Sequence, residues 1–123
     1  MINLQLSEWK FRDATVSSLK DDGDLIVIEL SDVYPENTDI CGSQRMKVRI
    51  EIKNPHMRMV ERQRCSTFSF LFDDGEVVFI KVENNTFSAV IIWTDYKSTP
   101  TKNCTLFYSV DSEDIVFTKL EAE

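Results

Sequence analysis

One tight-turn signal occurs twice in this chain. Asp21-Asp22-Gly23 lies between the runs Phe11–Leu19 and Asp24–Leu30, and Asp73-Asp74-Gly75 lies between Cys65–Phe72 and Val77–Val82. Asp and Gly tolerate positive φ, so Asp-Asp-Gly between β-branched and aromatic runs predicts an acidic hairpin turn at each place. Two such hairpins commit the chain to antiparallel β structure. Thr15 and Ser17 recur as Thr67 and Ser69, so the likeness spans both arms and raises the question of an internal duplication. The sequences after Leu30 and Val82 diverge, and two turns of the same chemistry also arise independently.

The rest of the chain reads as more strands. Leu25–Leu30 is apolar on both faces and belongs in the middle of a sheet. Ser31 to Gly42, with Pro35, Asn37 and Asp39, reads as a long polar loop. Met46 to Lys53 alternates Val48, Ile50 and Ile52 against Lys47, Arg49 and Glu51, the pattern of a strand with one wet face. Asn54-Pro55 can open a short helix through His56 to Gln63; a second strand or an irregular crossover fits the same residues. Cys65–Phe72 and Val77–Val82 supply the arms of the second hairpin. Phe87–Thr94, entered by a turn at Glu83–Thr86, is apolar on both faces, a loop follows from Asp95 to Asn103, and Asp111-Ser112-Glu113-Asp114 joins the strands Cys104–Val110 and Ile115–Leu120. Eight or nine short-connected strands predict a mainly β fold, an antiparallel sandwich or partly open barrel with at most one short helix. The 123 residues suffice for one domain over 1–123.

Charge narrows the function classes. The net charge is −7, which argues against nucleic acid or an anionic membrane as a direct partner. Seven of the fourteen Lys and Arg fall between Arg45 and Arg64 against only Glu51 and Glu61, so the remainder holds seven basic and nineteen acidic residues. The N-terminus has no basic flank and continuous apolar stretch, and no apolar run approaches the ~18 residues of a membrane span, so a cytoplasmic location is expected. Cys41, Cys65 and Cys104 are far apart and odd in number, which predicts neither a disulfide framework nor a metal site.

Catalytic chemistry finds little footing. The single His56 has no partner in sequence, and no Gly-rich phosphate loop, His-Glu-x-x-His or Gly-x-Ser-x-Gly is present. The pairs Asp21-Asp22, Asp73-Asp74 and Glu113-Asp114 fall on expected turn tips, where solvent keeps a carboxylate ordinary. Asp-Asp-Gly-Asp offers calcium hard oxygens but lacks the loop length and distal Glu of an EF-hand. Arg58, Arg62 and Arg64 suggest RNA only if Phe68, Phe70 and Tyr108 stack bases; alternating Phe in strands reads as core and the arginines as a solvated face. Phe68, Phe70, Phe79, Trp93 and Phe107 are expected to fill the interior and leave no ligand cavity. No enzyme activity, metal or cofactor is expected.

What remains is binding. A compact acidic domain without catalytic groups suits a protein that masks a basic partner, such as a nuclease toxin whose phosphate-attracting active site accepts turn carboxylates as substitutes. The candidate contact residues are Asp21, Asp22, Asp24, Asp73, Asp74, Glu76, Asp95, Asp111, Glu113 and Asp114, with Tyr34 and Tyr96 as aromatic anchors in loops. A non-enzymatic adaptor or a small-ligand-binding β domain are the other classes.

Trp9-Lys10-Phe11-Arg12-Asp13-Ala14-Thr15-Val16, followed by an acidic Gly turn and Asp24–Leu30, resembles the opening of small acidic bacterial immunity proteins, in which an aromatic-x-Asp-Ala segment precedes a first hairpin. The resemblance covers roughly the first thirty residues. It implies an immunity protein of a contact-dependent growth inhibition or related system, binding its cognate toxin. It carries over no binding residue.

Overall fold

The computed structural model describes residues 2–3, 9–35 and 45–122. Its strands are β1 (Ile2–Asn3), β2 (Trp9–Lys10), β3 (Thr15–Asp21), β4 (Leu25–Pro35), β5 (Met46–Lys53), β6 (His56–Val60), β7 (Gln63–Arg64), β8 (Asp74–Glu83), β9 (Thr86–Asp95), β10 (Lys102–Asp111) and β11 (Asp114–Ala122). All pairings are antiparallel, in the order β1-β11-β5-β4-β3-β8-β9-β10-β6-β7, with β2 added on β4. The path does not close on itself, and there is no helix among the described residues. The mainly β expectation of a sandwich or open barrel agrees with this arrangement.

Two four-strand halves, β11-β5-β4-β3 and β8-β9-β10-β6, meet at one narrow junction. There β3 touches β8 at Thr15 opposite Glu76, with Val77 N–H donating to Ala14 O at 2.8 Å and Asp13 N–H to Val77 O at 2.9 Å. Alternation then decides what is inside. Met46, Val48, Ile50 and Ile52 of β5, and Phe87, Ala89, Ile91 and Trp93 of β9, all point inward. All of these except Met46 meet Ile26, Ile28, Leu30, Val16, Val110 and Phe117 in one apolar cluster.

The two Asp-Asp-Gly segments fold differently. Gly23 is the expected turn residue, with φ of 101°, a conformation that side chains with a Cβ rarely adopt. Gly75 lies inside β8, opposite Trp93, and the second hairpin turn is not there. A Cβ at Gly75 would sit 2.6 Å from Cζ3 of the indole, so the glycine makes room for an aromatic ring laid across the neighbouring strand. Residues 65–73, expected as the first arm of that hairpin, are irregular chain. The two segments are therefore not structural equivalents; the turn expected at Glu83–Thr86 is present, with Asn84 and Asn85 both at positive φ, and it makes β8 the partner of β9.

Three further expectations change. The segment after Pro55 is the strand β6, paired with β10, and not a helix. The expected loop from Ser31 begins as strand, because a bulge at Asp32 lets β4 continue to Pro35; residues 36–44 lie outside the described residues. Of the five large residues assigned to the interior, Phe68 and Trp93 are buried, whereas Phe70 and Phe79 are exposed and Phe107 is half-buried.

Candidate functional site

The structure sorts eleven of the twelve candidate residues into one buried residue and two surface groups, with Tyr34 apart from all three. Asp21 is the buried one. Its side chain is fully enclosed and forked with Arg58, Nε to Oδ2 and Nη2 to Oδ1 both at 2.6 Å. Phe68 N–H and Gly23 N–H donate to the same carboxylate at 2.8 and 3.0 Å, and Arg58 Nη2 also donates to Gly23 O. Burial opposes ionisation of Asp21, but the Arg58 fork and the two backbone donors outweigh it and hold the carboxyl below its ordinary pKa. Asp21 thus ties the β3–β4 turn to β6 and to the 65–73 segment, and it cannot contact a partner; its assignment to the contact set is corrected.

The first surface group gathers where four turns are stitched together, β3–β4, β5–β6, β8–β9 and β10–β11. Asn54 N–H donates to Asp24 O, Ser112 Oγ to Lys53 O, and Ser112 N–H to Asn85 O. Asp22, Asp24, Asp111, Glu113 and Asp114 sit here. Asp22 accepts from the backbone of Asp24 and Leu25, Asp111 accepts from Thr86 Oγ1, and Asp114 is 3.9 Å from Lys53 Nζ. These carboxylates shape turns, and three of them already have partners in the chain.

The second group gathers at the far end of β9. Thr86 and Asp95 bound that strand, so the groups stand about 30 Å apart at ~3.3 Å per residue. Asp95 accepts from Ser98 Oγ and Lys97 N–H, which hold its carboxyl below the ordinary range, and Asp73 pairs with Lys97 at 2.8 Å. Asp74 and Glu76 project outward from β8, opposite Thr94 and Ile92. Glu76 is pushed up by partial burial, by a hydrogen bond with Asp13, and by the charges of Asp13 and Asp74. No ion pair relieves Asp13, Asp74 or Glu76 among the described residues.

Uncovered apolar surface borders this cluster. Beyond a bulge in β8, Phe79 turns outward at 40% exposure, opposite Val90, which in turn lies opposite Phe107. Ile92, beside Glu76, continues the row, and Phe70, Leu71 and Tyr96 are exposed in the flanking loops. Tyr96 is 70% exposed; Tyr34, expected in a loop, is half-buried in β4 opposite Lys10.

Asp13, Phe79 and Ile92 were not foreseen. Asp13 reaches Glu76 only because the turn before β3 docks on β8, a contact with no local signature. The outward face of β9 was signalled by its apolar residues on both sides. Among the described residues no group of three or more His, Cys, Asp and Glu is arranged to hold a metal ion, and no helix is long and apolar enough to cross a membrane. No family model, curated protein or solved structure matches the chain.

Proposed function

We propose that this chain is a binding domain that neutralises a basic protein, acting in the bacterial cytoplasm as the immunity partner of a cognate nuclease toxin and occluding its active site. The contact surface in this reading is the Asp13–Asp74–Glu76 cluster with the apolar row Ile92, Val90 and Phe79 beside it. The observation that carries it is the crowding of three carboxylates that make no ion pair among the described residues, next to exposed Phe79 and half-buried Val90 and Ile92. Like charges held together raise the energy of the isolated chain; a docking cationic surface removes that cost and is steered in by the same field. The adjoining apolar residues supply the desolvated centre that most interfaces depend on, and exposed Tyr96 suits an anchor.

A small-ligand carrier is less well supported. The apolar cavity between Val16, Ile28, Phe87 and Tyr108 has about 20 Å³, room for about one water molecule. The test is co-expression with a basic toxic domain sought in the reading frames that adjoin this one. Wild-type protein should restore growth, and the folded variant with Asp74→Lys and Glu76→Lys should not. Failure of the wild type to protect, or equal protection by both, refutes the reading.

A further inference from the structure

We infer that the β6–β7 hairpin and the segment after it form a binding site for a phosphoryl group, independent of the acidic surface. His56, Met57, Arg58, Arg64, Cys65 and Ser66 line an open cleft of about 350 Å³, at the lower end of small-ligand sites. His56, Arg58, Arg64 and Ser66 carry donor groups at its wall. The Arg58 side chain is only 10% exposed and is locked by its fork with Asp21, so its guanidinium forms a fixed side of the cleft at no further ordering cost. Cys65 N–H bonds to Arg58 O at 3.0 Å and pins the opposite side.

Arg64 and Ser66 are exposed beside it, and His56 flanks them; none of the three has an acidic partner among the described residues. Asp21 neutralises Arg58, so Arg64 is the charge left over. The Arg64 guanidinium, an imidazole and a hydroxyl around one opening, with Nη1 of Arg58 the one nitrogen of that side chain not bonded to Asp21 or Gly23, match the tetrahedral, multiply accepting oxygens of phosphate. The backbone is bent to build this hairpin: Met57, Glu61 and Arg62 adopt φ of 54°, 52° and 65°, a left-handed conformation that costs a non-glycine residue energy and is retained where the surroundings demand it. In a chain of net charge −7, a cleft where His56, Arg64 and Ser66 offer exposed donor groups without an acidic partner among the described residues is a local exception that favours anions.

Phosphate titration followed by amide NMR of the intact protein tests this. Inorganic phosphate and AMP should each shift the amides of His56 and Arg64 to Ser66 saturably; equal affinity assigns the site to free phosphate, and tighter AMP binding to a phosphorylated metabolite. Arg64→Glu should weaken binding by about tenfold or more, the loss of one charge-assisted contact, while Lys47→Glu, the same charge change on the exposed face of β5, should alter it by less than about twofold. Circular dichroism of both variants checks the fold. Absence of saturation with either probe, or equal weakening by both substitutions, overturns the site.

Discussion

Replacing Asp21 with Ala should be among the most damaging changes to this protein, and the structure explains how large the loss is. The substitution removes one carboxylate that accepts four hydrogen bonds: two from Arg58, one from Phe68 N–H and one from Gly23 N–H. It leaves a guanidinium that is 90% enclosed without a counter-charge. Breaking one side of a buried pair costs about 3–5 kcal/mol, a large part of the ~5–15 kcal/mol by which a domain is stable. Removing both charges with Asp21→Asn and Arg58→Met should cost less than Asp21→Ala alone, because no charge is stranded. The acid limb carries a second signature. The folded carboxyl titrates below its ordinary value of 3.8, so its contribution is present above that value and is lost as pH falls through the folded pKa. Below pH 3.8 the wild type should therefore lose stability more steeply than the double variant. Urea unfolding at pH 7 and over the acid range measures both. A loss under ~1 kcal/mol for Asp21→Ala would show that the fork behaves as a surface pair and would refute the argument.

Tyr108→Phe removes the acceptor of the buried Trp93 Nε1–H, 2.6 Å away, and should cost about 1–3 kcal/mol by urea unfolding. Burial holds the Tyr108 hydroxyl above its ordinary pKa despite the Trp93 bond, so stability should fall as pH rises past 10, and this limb should flatten in the Phe variant. Gly75→Ala should destabilise by about 1–3 kcal/mol through contact with the indole, and non-additively with Trp93→Leu; Gly23→Ala should also destabilise, but independently of Trp93, as a urea-unfolding cycle will show. Glu76→Gln should raise the melting temperature at neutral pH, because a carboxyl with a raised folded pKa contributes most below its unfolded value and loses that contribution as pH rises. The gain should vanish in acid, by calorimetry across pH.

Alternation was enough to read most of the architecture. Met46–Lys53 and Phe87–Thr94 declare their inward faces through period-two patterning, and the β3–β4 hairpin follows from Gly23, whose turn is a local matter. The second Asp-Asp-Gly misleads because a glycine has two uses. At Gly75 the determining neighbour is Trp93 on another strand, and spacing along the chain carries no trace of it. The candidate site divides the same way. That the acidic turns face solvent was legible, and so was the apolar outer side of β9. Asp21 looked like its neighbour Asp22, and only the arrival of Arg58, thirty-seven positions away, makes one a buried tie and the other a surface residue. Asp13 joins Glu76 through the short β3–β8 junction, one residue pair flanked by two backbone hydrogen bonds.

The account stands most directly on the association kinetics of this chain with its cognate basic toxin, measured by stopped flow over a range of salt. Reversing Asp74 and Glu76 to Lys should slow association and flatten its salt dependence, whereas reversing Asp22 and Asp24, roughly 20–25 Å away toward the other end of the strands, should change the rate far less. Equal rates for wild type and the Asp74, Glu76 variant, or a larger effect from Asp22 and Asp24, would contradict it.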